Sequence, residues 1–343
     1  MLRNRSVLVT GCAGFLGPWL CEQLIQAGAR VVGLDRLYLK GSRIHNLASQ
    51  VEMIEADIRD FALMQEIIQT RQITVIFHLA AQALVGEAAK NPVQTFKDNI
   101  EGTWNVLEVA RLANAEKYTI EGIVVASSDK AYGDQAELPY LESAPMEGKY
   151  PYDVSKSCAD LISRSYFHSF KLPVCITRCG NLYGGGDLNM SRIVPGTIYS
   201  IFKNEPPIIR SNGSPVRDYI YVQDAAEAYL TVAERLLSDP TIAGEAFNIS
   251  KDQPVSVLEI TRRMMKIGNS KLEPVVQNTA SLEIEKQYLN SKKMREQFNW
   301  YPKHNLDQGL KRAFEWYFDY FLEQSNQNQY LKAAPMTASV ISP

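Results

Sequence analysis

The chain has 343 residues, enough for one large domain or two ordinary ones around a sizeable core. Its 45% hydrophobic and 22% charged residues exclude a disordered or fibrous class. A formal net charge of -2 gives no electrostatic reason to expect nucleic acid or an anionic membrane as partner, so any bound anion must be held locally. Cys12, Cys21, Cys158, Cys175 and Cys179 are odd in number and lack paired zinc spacing, which fits a reducing compartment. The apolar run Val7 to Val9 is too short for a signal-peptide core, and no stretch approaches the ~18 apolar residues of a membrane span. A soluble, cytoplasmic protein is expected.

In chain order, short β-branched or apolar runs alternate with segments of helical period: SVLVTG, ARVVGLD, VEMIEAD, ITVIFHLA, IEGIVVAS and LPVCITR. That alternation predicts an α/β fold, a doubly wound parallel sheet with helices on both faces. Residues 1–178 are expected to form the dinucleotide-binding domain. After Arg178 come a glycine run (Gly184, Gly185, Gly186), Pro206-Pro207 and helices expected no longer to separate parallel strands. Residues 179–321 are therefore expected to be mainly substrate-binding, with a segment near 244–250 returning to the sheet. The end, 322–343, loses periodicity and gains Asn, Gln, Ser and Pro, which predicts a flexible tail.

The segment VLVTGCAGFLGPWLCEQLIQAG places Gly11, Gly14 and Gly17 at a strand-to-helix turn, with Phe15 and Leu16 inside it. Absent side chains let backbone N–H groups and a helix N-terminus approach a pyrophosphate. Asp35 ends the next apolar run, where a carboxylate accepts ribose hydroxyls and repels a 2'-phosphate, so NAD is preferred over NADP. Arg36 is the counter-signal, since a guanidinium there either pairs with that phosphate or stacks on adenine. Asp57 follows the third run and either reaches the adenine amino group or caps a helix. Ile58, together with Leu79, Ala80 and Ala81 after the fourth run, completes the expected cofactor wall.

YPYDVSKSCADLI carries Tyr152 and Lys156 four apart, hence on one face near the start of a helix. An ammonium there is expected to lower the phenol below its ordinary ~10 and make it a base. The set follows a strand ending in Ser127, Ser128 and Asp129, and the Ser128 hydroxyl is placed to hydrogen-bond a reacting oxygen.

TGxxGxxG, FHLAAQ, SSDKAYG, YxxxK, RCGNLYGGGD and RDYIYVQD occur in this order over residues 6 to about 320, and the chain thereby resembles the extended short-chain dehydrogenase/reductase family of nucleotide-sugar epimerases and dehydratases. The resemblance implies a Rossmann domain, a smaller interleaved C-terminal substrate domain and a homodimer through two helices per subunit. Within the family, Asp129-Lys130 after Ser128 looks like the hexose 4,6-dehydratases, and most like those acting on CDP-glucose. The implied chemistry has Tyr152 deprotonate the sugar's 4-hydroxyl as hydride leaves carbon 4 for NAD, after which Lys130 and Asp129 serve as base and acid for loss of water. The alternative is an NDP-sugar 4-epimerase, in which the 4-keto sugar rotates and takes the hydride back. Two departures leave the nucleotide open: CDP-glucose enzymes commonly lack the acid matching Asp35, and differ where this chain has RDYIYVQD.

By motif position Asn181 and Arg217 match residues that hold the sugar diphosphate, with Arg192 a second clamp; the other reading of Arg217 is an ion pair with Asp218 or Asp224. Gln82 matches a contact to the hexose and Asn99 a residue that positions the catalytic helix, and both are otherwise local caps. His78 is read as a packed histidine, while His45, His168 and His304 lack metal-ligand spacing, so no metal is predicted.

Overall fold

The computed structural model describes residues 1–37, 42–116, 119–279 and 284–333, with side chains as far as residue 325. The six apolar runs form strands β1 (Ser6–Thr10), β2 (Arg30–Asp35), β3 (Val51–Glu55), β4 (Val75–His78), β5 (Gly122–Ala126) and β6 (Val174–Cys179). Between them lie helices α1 (Gly17–Gln26), α2 (Phe61–Thr70), α3 (Val85–Lys90), α4 (Pro92–Phe96), α5 (Gly102–Ala115) and α6 (Pro151–Phe170). Beyond β6 come β7 (Asn181–Tyr183), α7 (Ile193–Phe202), β8 (Ile208–Ile209), β9 (Val216–Arg217), β10 (Tyr219–Tyr221) and α8 (Val222–Ser238). The chain closes with β11 (Ala246–Ile249), β12 (Val255–Ser256), α9 (Val257–Ile267), β13 (Val275–Val276), β14 (Lys286–Gln287), α10 (Lys292–Phe298) and α11 (Leu306–Ala333).

The main sheet runs β3-β2-β1-β4-β5-β6-β11, all parallel. Its side chains alternate between two cores. Val7, Val9, Val31 and Phe77 face the layer of α1 and α8, whereas Leu8, Val32, Leu34 and Ile76 face α2 and α5. Burial on both faces explains why these strands read as continuous apolar runs. Each fully buried Val, Leu or Ile contributes ~1.5–3 kcal/mol before entropy is charged against it.

Two features differ from the sequence reading. The strand–helix rhythm continues past Arg178, because α8 packs on α1 as a crossover and leads to β11, which lies in the segment 244–250 expected to return to the sheet and pairs in parallel with β6 through Ala246↔Ile176 and Ile249↔Cys179. The Ala225, Ala226, Ala228, Val232 and Ala233 stripe of α8 supplies the close-packing face against the sheet and α1. Second, α11 runs through Leu322 to Ala333, and residues 334–343 lie outside the described residues. Tyr317 and Phe321 anchor it against the core, so the loss of apolar period after Leu322 did not mark the helix end.

Candidate active site

The strand order reverses between β1 and β4, opening a crevice at their C-terminal ends, where α/β sheets bind ligands. A cavity of about 1330 Å³ occupies it and extends under α7 and β9. Gly11, Gly14, Phe15, Leu16, Gly17, Asp35, Arg36, Asp57, Ile58, Leu79, Ala80 and Ala81 line its cofactor end; Ser128, Asp129, Lys130, Tyr152 and Lys156 line its middle; Asn181, Arg192 and Arg217 line its far end.

The glycine turn fits a dinucleotide on steric grounds. Gly11 sits at φ +72, and a Cβ there would stand 2.7 Å from the Ala80 nitrogen. A Cβ on Gly17 would stand 2.6 Å from the Cα of Cys12, so only glycine lets α1 start this close to the turn. Asp35 accepts hydrogen bonds from the N–H groups of Ala13 (2.9 Å) and Arg36 (2.8 Å). Burial raises its carboxyl pKa and these N–H groups oppose the rise.

Arg36 is not offered to a 2'-phosphate. Its guanidinium forms a forked pair with Asp98 at 2.9 and 3.2 Å and lies 3.9 Å from Asp57. A phosphate here would meet the carboxylates of Asp35, Asp57 and Asp98, which favours NAD over NADP. Asp57 itself is gripped by Arg59 at 2.6 to 3.1 Å, and this hydrogen-bonded partner holds its carboxyl below the ordinary range. It is not the cap of α2; that is Asp60, which accepts from Leu63 N at 3.1 Å.

Asn99 lies in a π-helical turn, Lys97–Glu101, between α4 and α5. The turn aims it at α6: its Nδ2 donates to Ser155 Oγ (2.8 Å) and to Gln82 O (3.0 Å), and its Oδ1 accepts from Gln82 N (2.7 Å). Ser155 stands between Tyr152 and Lys156, so Asn99 ties the first turns of α6 to the Gln82 loop. Gln82 does not reach the cavity. Its amide donates to Leu84 O (3.0 Å) and Thr95 Oγ1 (3.2 Å), and Leu84 N donates to it, so it serves as the local cap.

The turn Asp129–Tyr132 after β5 is a single 3-10 turn capped by Ser128, whose Oγ accepts from Lys130 N at 3.2 Å and donates to Asp129 Oδ1 at 3.0 Å. Asp129 is 2% exposed, and its buried Oδ2 has no hydrogen-bond partner, with Lys130 Nζ 3.7 Å away. Burial pushes Lys130 below the ordinary amine range; the charge of Asp129 opposes this and that of Arg217 reinforces it.

The expected depression of the Tyr152 phenol by Lys156 is not what the structure shows. Burial pushes Tyr152 up to about 12, the charge of Asp129 adds to the rise, and its hydrogen bond with Ser128 opposes it. Lys156 instead donates to Ala126 O at 2.8 Å, and burial lowers its pKa to about 8. A phenol this high keeps its proton at neutral pH until positive charge is brought against it.

Arg217 is buried on β9 and donates to the carbonyls of Val216 (2.9 Å) and Glu285 (3.3 Å). The proposed ion pairs are engaged elsewhere: Asp224 holds His304 Nδ1 at 2.8 Å, and Asp218 accepts from Ser250. Arg192, N-cap of α7, pairs with Asp187 at 3.0 Å. His78 is satisfied by Thr10 (2.9 Å) and Thr103 (3.0 Å), and burial drives its pKa to about 3, so it stays neutral.

Four residues escaped the sequence reading. Arg210 lines the same end of the cavity as Arg192 and Arg217, Asp98 partners Arg36, Gln287 touches the catalytic turn, and Asp153 faces Lys130. Only Asp153 had a local signal, its place at the third position of α6 inside the YxxxK string. Burial raises its pKa to about 6 and Lys130 opposes the rise.

A glycine turn at the switch point, an acid at the end of β2 and a Tyr-Lys helix define a nicotinamide-dinucleotide enzyme of the extended short-chain dehydrogenase/reductase class. The chain belongs to the GDP-mannose 4,6 dehydratase family, whose model matches residues 8–313. It is 30% identical to a CDP-glucose 4,6-dehydratase of Salmonella typhimurium over 92% of this chain and 91% of that one. Among solved structures it is similar to a UDP-glucose 4-epimerase of Thermotoga maritima with UDP-glucose, at TM-score 0.84 and 27% identity, covering 92% of this chain and 99% of that one. It is also similar to a dTDP-glucose 4,6-dehydratase double mutant of Streptomyces venezuelae with NAD bound, at TM-score 0.81 and 25% identity, covering 91% and 96% of the two chains.

Proposed function

We propose that this chain is an NAD-dependent NDP-hexose 4,6-dehydratase, a lyase that forms a 4-keto-6-deoxy sugar from a sugar nucleotide. The observation that carries the reading is the Asp129-Lys130 turn: a buried carboxylate oxygen without a hydrogen-bond partner beside an amine whose pKa burial lowers, in the middle of the cleft with Tyr152. A sugar whose hydride merely returns to carbon 4 has no use for that second acid–base pair.

The glycine turn and Asp35 would hold NAD, which would supply a reversible hydride acceptor for carbon 4 and carbon 6 and a positive ring charge. Tyr152 accepts the proton of the 4-hydroxyl, and Ser128, bonded to the phenol, holds the same oxygen. Lys130, as the free amine, removes the proton at carbon 5 that the 4-ketone acidifies and, as the ammonium, returns it to carbon 5 when the hydride reaches carbon 6; Asp129, entering this step as the carboxylic acid, gives its proton to the departing 6-hydroxyl. Asn181, Arg217, Arg192 and Arg210 hold the diphosphate, with guanidinium forks suited to its oxygens. CDP-glucose is the first substrate to try, on the strength of the Salmonella relative.

A homodimer through α5 and α6 is part of the proposal, since Trp104 (44%), Leu161 (50%) and Phe170 (54%) are exposed on those helices. So is a cytoplasmic location, which the odd number and scattered spacing of the five cysteines favour.

The test is mass spectrometry of the protein incubated with NAD and CDP-, dTDP-, UDP- or GDP-hexose. Loss of ~18 mass units, one water, supports dehydration and identifies the nucleotide. Isomerised product at unchanged mass moves the assignment to epimerase. Lys130→Met is expected to lower dehydration by roughly 10²–10⁴-fold while oxidation at carbon 4, followed as NADH absorbance, survives.

A further inference from the structure

The reading of Lys130 as base, on which this inference rests, leaves open what aims the amine. Gln287 is fully buried on β14. Its Nε2 donates to the carbonyl of Asp129 at 3.2 Å and that of Gly133 at 3.5 Å, both on the catalytic turn. Carbonyls only accept, so the amide cannot be turned over: its nitrogen must face them, and its Oε1 must face Lys130 Nζ, which donates to it. Gln287 is also the register partner of Arg217 across the parallel pair β14 and β9. The charged groups around Lys130 are Asp129 on its own turn, Asp153 from α6 and Arg217 from β9; the fixed acceptor among them is neutral.

That neutrality has a chemical use. A carboxylate at this position would hold Lys130 as an ammonium, with no lone pair to take a proton. An amide oxygen accepts one N–H and leaves the amine free to lose its third proton. We propose that Gln287 is a positioning residue which aims Lys130 into the cleft as a free amine and ties it to the strand bearing the diphosphate-clamping Arg217. Hydrogen bonding at one oxygen then links the place where the phosphates are held to the place where water is lost.

Trace acetylation of the whole protein with acetic anhydride across a pH series, read by mass spectrometry on the peptide containing Lys130, gives the midpoint of that amine without reference to turnover. Gln287→Glu is expected to raise the midpoint by about one pH unit. Gln287→Leu, which removes the acceptor, is expected to lower it. The acid limb of dehydration kcat should move up with the midpoint in Gln287→Glu, while KM for the sugar nucleotide changes less than about threefold. Circular dichroism identifies the variants that fold. An unmoved Lys130 midpoint in every variant that folds overturns the proposal, even if activity falls. If the unaltered protein dehydrates none of the sugar nucleotides, the functional reading fails on its own, and the acetylation midpoints still decide the role of Gln287.

Discussion

At the cofactor end of the cleft, Gly11, Gly14 and Gly17 act within a single strand-to-helix connection, and what they contribute is the absence of side chains. At the catalytic turn the opposite holds: Lys130 meets Asp153 from α6, Arg217 from β9 and Gln287 from β14, residues brought together only by the completed fold. One end is backbone shape fixed locally, the other is side-chain chemistry fixed at long range. A site built the first way is sensitive to any added atom, whereas one built the second way is sensitive to charge and protonation.

The sharpest break of that contrast is Tyr152→Phe, which removes one oxygen without disturbing packing. Turnover is expected to fall about 10³-fold, with NAD affinity in calorimetric titration changed little. Next comes Gly11→Ala. Strain of the order of 1–3 kcal/mol at its positive φ, together with the 2.7 Å approach to Ala80 N, is expected to weaken NAD binding at least tenfold. Its thermal unfolding and its Lys130 acetylation midpoint should show whether the damage stays at the cofactor end; a shifted midpoint would break the division drawn here.

The smallest effect concerns Asp218, next to Arg217. Burial raises its pKa to about 7, opposed by the hydrogen bond with Ser250 and the N–H of Leu289. A carboxyl raised in the folded state contributes stability below its unfolded value of about 4 and loses it as pH rises through about 7. Asp218→Asn is therefore expected to be more stable than the unaltered chain at pH 8, by roughly 1 kcal/mol or more, with the gain shrinking toward pH 5. Urea melts at the two pH values check this, and a constant difference would remove the assigned titration.

The same contrast explains what could be read from the sequence. All six strands, the glycine turn, Asp35 and the Tyr-Lys helix were legible because each is announced within a few residues by apolar runs, missing side chains or fixed spacing. Asp129 and Lys130 were legible as a pair through the family motif, but their surroundings were not. Gln287 lies 157 residues beyond Lys130 on a two-residue strand, with no periodicity to mark it. Arg36 was ambiguous because its partner, Asp98, arrives from the π-helical turn. Gln82 stayed open between a sugar contact and a local cap because a loop amide that caps Leu84 looks the same in sequence as one pointing at a sugar. The phenol of Tyr152 was misjudged because spacing on a helix gives proximity to Lys156, while its titration follows desolvation, which depends on the whole cavity.

The seventh strand also bears on how the chain is made. β11 pairs with β6 across the stretch that holds β7 to α8, so β6 is an open edge until residue 249 has left the ribosome. Its buried Val174, Ile176 and Cys175 are meanwhile exposed to pairing with another chain. The strands of the NAD half all precede that edge in the chain, whereas Gln287 and its strand emerge only after the edge has been covered. Dinucleotide binding to the early half would act as a nascent-chain stabiliser, holding the first six strands together until their last partner arrives.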